Sequence, residues 1–320
     1  MQDRLIRAIA ANARVRVVGV DITQSLNEAY RRHHLSAVAT AALGRAMSAS
    51  LLLASSMKQP QARVNVRLAG DGDLGLVYAD AGFDGTVRGF VANPDIDLPA
   101  NGDGGQNVQQ AIGSVGLLKV LRDVGYGEPY SSTVELVAGN VSDDIGWFLA
   151  SSEQTYSQVL FVEEINTEEI AAGMDAPVKF AIGMLLQVMP KAALRAAKTA
   201  NLSQESLIMQ LESKGAVSQW RSLLAQGKAL EAVMQELLAD IDLEILPMGK
   251  EVQFHCPCSW DRMLGAIKIM GEEELKLMIA DDRGAEAICH FCGEVYHANT
   301  EQLSQLLSEL LTEKSITSIS

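Results

Sequence analysis

Residues 63–92 read RVNVRLAGDGDLGLVYADAGFDGTVRGFVA. In the first run Val64, Val66 and Leu68 fall on one side and Asn65 and Arg67 on the other, the period-two pattern of a strand with one buried face. Strand-like runs at 75–80 and 86–92 follow short Gly/Asp segments, so the stretch reads as consecutive hairpins. Within it, Gly70-Asp-Gly-Asp-Leu-Gly75 fits the G-x-G-x-x-G dinucleotide fingerprint. The context opposes that reading: Asp71 and Asp73 would face a pyrophosphate, and a strand follows where a helix N-terminus is needed. A hairpin turn fits better.

Further strand-like runs lie near 115–121, 132–138, 158–164 and 178–188, with a polar Gly/Asn/Asp loop at 93–107. Upstream, 2–12 and 21–32 read as helical and 35–57 as one long helix. Hairpin-like strand pairs with few helices between them predict an α+β fold with a largely antiparallel sheet, spanning an N-terminal core domain from 1 to 190. From 191 to 247 the pattern is helical. Trp220, Leu223, Leu224, Leu230, Val233, Met234, Leu237, Leu238 and Ile241 recur at spacings of three and four. Gly215 and Gly227 break the run into short helices, so the segment reads as an amphipathic linker whose apolar face needs a partner surface. Pro247 and Gly249 mark the next boundary. Residues 248–311 form a small C-terminal domain ending in a helix striped by Leu303, Leu306, Leu307, Leu310 and Leu311, and 312–320 read as a flexible tail.

The chain has 320 residues, 48% hydrophobic and 21% charged, which suits a soluble globular protein of about two domains. Its 26 basic and 40 acidic residues give a net charge of −14, which disfavours nucleic acid and anionic membrane as partners. The opening MQDRLIRAIA lacks the apolar core of a signal peptide. Leu35–Met57 has the length of a membrane span, but Arg45 at its centre would cost about 2.5–3.5 kcal/mol in a bilayer. A helix buried in a soluble, cytoplasmic protein is the expectation. No nucleophile elbow, phosphate loop or carboxylate pair marks an enzyme.

All four cysteines fall within 37 residues, as Cys256-Pro-Cys258 and Cys289-His-Phe-Cys292. Two ligands from one turn and two from a distant turn close a tetrahedron around Zn²⁺, so one zinc per chain is expected on Cys256, Cys258, Cys289 and Cys292. Gly293 supplies the permissive backbone that such a turn needs. His255 and His290 flank ligands and are read as polar neighbours on the rim. Three functions compete: a structural zinc staple of an adaptor, a thiol–disulfide oxidoreductase using Cys289 and Cys292, and a zinc site meant to be oxidised. The one-residue gap between Cys256 and Cys258 favours the third, as do nine acidic against four basic residues over 251–300. Of three possible disulfide connectivities, proximity favours Cys256–Cys258 with Cys289–Cys292.

The pattern Cys-x-Cys followed by Cys-x-Phe-Cys-Gly, met at 256–258 and 289–293, resembles the heat shock protein 33 family of redox-regulated bacterial chaperonins. The likeness extends to Val87–Pro94, Arg122–Tyr130 (RDVGYGEPY), Ser151–Thr155 (SSEQT) and Gly183–Pro190 (GMLLQVMP), and so covers nearly the whole chain. It implies an ATP-independent holdase, not an enzyme, that is inactive while reduced and zinc-bound. The resemblance further implies that oxidation within each cysteine pair releases zinc, unfolds lobe and linker, and lets such a chain, often as a homodimer, capture unfolding clients in oxidative and heat stress. The apolar stripe from Trp220 to Ile241 and surfaces of the N-terminal domain are the candidate client contacts. Pro257, His255 and His290 depart from the family at variable positions and leave the ligands intact.

Overall fold

A computed structural model of the chain describes residues 2–101, 105–189, 204–247, 249–281 and 284–317. The chain divides into two units, Met1–His255 and Cys256–Ser320. The first opens with β1 (Arg4–Ala10), β2 (Val15–Asp21), α1 (Thr23–His33) and α2 (Ala37–Ala54). The hairpin stretch follows as β3 (Arg63–Gly70), β4 (Leu76–Gly82) and β5 (Thr86–Val91), then α3 (Val108–Ile112), β6 (Gly116–Asp123) and β7 (Tyr130–Glu135). After α4 (Ser142–Ser152) come β8 (Ser157–Ile165), α5 (Thr167–Ala171) and β9 (Val178–Val188). Linker helices α6 (Gln204–Ser213), α7 (Val217–Ala225) and α8 (Leu230–Leu237) precede the two-residue strands β10 (Glu244–Ile245), β11 (Lys250–Glu251) and β12 (Gln253–Phe254).

These strands form two sheets. One runs β10–β1–β2–β9–β8 with β11 also on β1, and the other runs β12–β5–β4–β3–β6–β7. Every pairing is antiparallel except β12 on β5. The α+β expectation therefore holds, and Gly70–Gly75 is a hairpin turn between antiparallel β3 and β4.

Helix α2 lies between the sheets and packs on both. It is buried at every position except Ala37 and Arg45, as a helix apolar all round must be. That burial explains why the segment has the composition of a membrane span. Arg45 is tied to Glu163 by Nε and Nη2 bonds of 3.0 and 2.5 Å, so its charge sits in the interior with a partner. Ser36 caps the helix start, accepting from the Ala39 amide. Gly183 of β9 lets α2 approach closely, since a Cβ there would stand 2.8 Å from that of Ser48.

Residues 2–12 were expected to be helical, and this is corrected: 4–10 is strand β1. Leu5, Ile6, Ile9 and Ala10 mimic helical spacing because the strand is covered on both faces. Leu5 joins the core around α2, and Ile6, Ala8 and Ala10 join the core under the linker helices. Full pairing with β2, from Arg4↔Asp21 to Ala10↔Val15, outweighs the weak helical preference of seven residues. Of the linker, 191–203 lies outside the described residues.

The second unit holds α9 (Trp260–Ile269), α10 (Glu272–Ala280), the hairpin β13 (Ala285–Ile288) and β14 (Val295–Ala298), and α11 (Thr300–Thr317). The last helix thus continues to Thr317, past the tail expected from 312. Among the described residues its core cluster has five buried members: Ile267, Leu275, Ala298, Leu303 and Leu306.

Candidate metal centre

Two turns bring the cysteines together. The first, Cys256-Pro257-Cys258, leads into α9, whose N-cap Ser259 accepts from the Arg262 amide. The second closes the β13–β14 hairpin. There the Cys292 and Gly293 amides donate to the Cys289 carbonyl at 3.3 and 2.8 Å, and the Cys289 amide donates to the Glu294 carbonyl at 2.9 Å. Gly293 sits at φ +70°, the left-handed backbone that favours glycine.

All four sulfurs lie within 4.8 Å of one another. Cys256 Sγ is 3.7 Å from Cys289 Sγ, and Cys258 Sγ is 3.3 Å from Cys292 Sγ. Thiolates bound at about 2.3 Å around one tetrahedral zinc stand roughly 3.8 Å apart, so spacing and donor chemistry both fit Zn²⁺. Cys292 is buried and the others are half-buried. Burial pushes the Cys289 and Cys292 thiols up, opposed by amide bonds from Phe291 and Glu294 respectively. A bound cation is what would favour the thiolate form here.

The Tyr296 hydroxyl donates to Cys258 Sγ at 3.2 Å, and its ring packs against Trp260 at 6.3 Å between centroids. No spacing rule flags this tyrosine in the sequence. It reaches the site because β14 folds back on β13, pairing Tyr296 with Ala287. His255 and His290 are exposed, and the metal-sized cluster consists of sulfur alone among the described residues.

The nine stripe residues of the linker lie in the first unit, against the outer face of the sheet that contains β1, β2 and β9. Trp220, Leu224, Leu230, Val233, Met234, Leu238 and Ile241 are buried there, with Leu223 and Leu237 partly buried. They cover Val15, Val17, Leu160, Ile182, Met184 and Leu186, strand residues that the sequence does not single out as a functional surface.

A family model described as Hsp33 protein matches residues 3–299. The chain belongs to the Hsp33 family. It is 53% identical over 314 residues to the 33 kDa chaperonin of Cyanothece sp. (strain PCC 7425 / ATCC 29141), covering 98% of this chain and 99% of that one. It is 50% identical over 317 residues to the 33 kDa chaperonin of Trichormus variabilis (strain ATCC 29413 / PCC 7937), covering 99% of each. The crystal structure of the 33 kDa chaperonin (Hsp33) from Thermotoga maritima superposes with a TM-score of 0.82 at 26% identity, over 98% of this chain and 100% of that one. Membership supports a chaperone function in general terms, and the matched residues 3–299 include all four cysteines of the cluster.

Proposed function

We propose that this chain is a redox-regulated, ATP-independent holdase whose switch is a zinc site on Cys256, Cys258, Cys289 and Cys292. The observation that carries the reading is a four-sulfur cluster of metal size in a unit with only five buried core residues in its cluster among those described. So small a core is marginal alone, and bound zinc contributes about 10–16 kcal/mol to folding in thiolate modules. A hydroperoxide takes an electron pair from one thiolate, leaving a sulfenic acid and an alcohol or water. The neighbouring thiol then attacks that sulfur and releases water, joining Cys256 to Cys258 and Cys289 to Cys292. Each disulfide removes two ligands, and the folding energy they supplied is lost with the metal.

The same logic reaches the linker. Between α8 and Cys256 the chain is held by β10, β11 and β12, each a two-residue pairing on a sheet edge. Such short pairings belong to the low-stability end of a structure. Once they open, α6–α8 lift from the sheet, exposing the Trp220–Ile241 stripe and the strand face beneath it. Both are apolar and contiguous, the surface that an unfolding cytoplasmic client or a second copy of the chain recognises.

The test follows zinc release and suppression of a model client's aggregation together, with peroxide at mild heat-stress temperature. The expected result is loss of one zinc per chain with a gain in client protection, reversed by dithiol reductant and zinc. Zinc retained under peroxide, or lost without client protection, defeats the switch.

A further inference from the structure

The stretches Arg122–Tyr130 and Ser151–Thr155 take no part in the metal centre or the linker, and of Gly183–Pro190 only one face, with Met184 and Leu186, packs under the linker helices. They nevertheless converge. Arg122, Glu153, Thr155 and Gln187 line one cavity of about 150 Å³ with Arg16 and Ser56, at an end of the layer between the two sheets. Arg16 and Gln187 are cross-strand partners on β2 and β9, and Arg122 enters from β6 of the opposite sheet. The site is therefore built by the sandwich, from both sheets and the ends of α2 and α4.

Its charges do not balance. Two guanidiniums face one carboxylate, and Arg122, which is 8% exposed, already forms an ion pair with Glu153 and lies 5.8 Å from the Phe148 ring centroid. Arg16 has no carboxylate within ion-pair distance among the described residues. Its one hydrogen bond there is donated by Nη2 to Ser55 Oγ at 2.7 Å, from a side chain with five N–H donors. Arg7 adds a further cation nearby, donating to the Ser55 carbonyl. Burial, and after it the Arg7 charge, pull the Arg16 pKa down, against the Glu153 carboxylate, which acts in the opposite sense. Capping the C-terminal end of α2, which has no basic residue in its own last turn, accounts for the Ser55 contacts. It leaves the cavity side of Arg16 unexplained.

We propose that this cavity binds one small oxyanion, a phosphate or a carboxylate, between the guanidinium groups of Arg16 and Arg122. Liquid water occupies about 30 Å³ per molecule, so the volume admits a group of a few heavy atoms and no polymer. Guanidinium forks match the paired oxygens of either headgroup, and Gln187 Nε2, which gives one hydrogen to Ser157 Oγ, keeps a second N–H. The bound anion joins β2, β9, β6 and the ends of α2 and α4 at the point where β9 leads into the linker. This role is independent of the metal switch.

The test uses the full-length chain, reduced and zinc-supplemented. Sodium phosphate and sodium acetate are titrated by calorimetry against sodium chloride at matched ionic strength. The expected result is a saturable one-to-one site for at least one anion, at least ten-fold weaker in Arg16→Gln and partly retained in Arg16→Lys. The tighter anion identifies the headgroup. Absence of a saturable site, or equal affinity in Arg16→Gln, overturns the proposal. Should Arg16→Gln not fold, crystals of the unsubstituted chain soaked in selenate and, separately, in acetate decide it. An anomalous selenium peak or acetate difference density between Arg16 and Arg122 supports the site, and an empty cavity with both overturns it.

Discussion

Tyr296 and Cys258 show how a single contact can set the properties of the proposed zinc site. The 3.2 Å bond from the hydroxyl draws electron density from one sulfur of the first pair. Groups that hydrogen-bond to metal ligands typically carry 10–100-fold of metal affinity. Tyr296→Phe keeps the ring against Trp260 and removes only the bond. It is expected to weaken zinc binding about ten-fold and to speed peroxide oxidation of Cys258, read by chelator competition and by mass spectrometry after alkylation. Unchanged affinity and rate would show the bond to be incidental. Asp3 supplies a second residue-scale prediction. Its carboxylate accepts from the Gln24 and Ser25 amides at the start of α1, yet burial outweighs those bonds and raises its pKa to about 6. The fold thus favours the protonated form. Its contribution is greatest below the unfolded value near 3.8, falls as pH rises from there to about 6, and is flat above. Asp3→Asn mimics the protonated group, so wild type should lose stability relative to the variant across that window in denaturant melts.

Helices α6–α8 are held by shape as much as by apolar area. Trp220 is 1% exposed, and its indole nitrogen donates to the Lys214 carbonyl at 2.9 Å, so the linker's largest side chain is both buried and satisfied. Gly19 on β2 lies directly beneath α8: a Cβ there would stand 2.9 Å from Met234 Sδ and 3.0 Å from Met184 Sδ. Gly19→Val therefore overpacks this contact, with a cost of about 1–3 kcal/mol. The expected outcome in the reduced, zinc-loaded chain is faster amide exchange across 217–241, with client protection before any oxidant is added. Native exchange rates with no early protection would mean that the helices stay seated, or that the surface beneath them binds no client.

Across the molecule, stability is divided unevenly. The first unit has two sheets, a central helix and two large core clusters, whereas the second has one small cluster and the four sulfurs. Chelation of the metal should therefore abolish the cooperative calorimetric transition of residues 256–320 and leave a main transition from the sheets. A lobe transition that survives chelation would show that zinc does not hold that unit folded. The chain carries a net charge of −14, yet one interior corner gathers Arg7, Arg16 and Arg122, a contrast that only the folded chain creates.

Much of this was legible in the chain itself. Alternation at 63–68 predicted β3, the turn at 70–75 predicted its hairpin, and two tight cysteine pairs predicted a four-sulfur cluster, because each signal is local and has a fixed period or spacing. The long apolar segment 35–57 was read as a buried helix because a central Arg is expensive in lipid. Tertiary structure decided what depends on partners distant in sequence. It made 4–10 a strand, since pairing with β2 outweighs a helical pattern over seven residues. It showed where the linker stripe goes, because amphipathicity names a buried face without naming the surface that buries it. It alone brought Tyr296 to Cys258 and Arg16 to Arg122, contacts between side chains on different elements that no periodicity encodes.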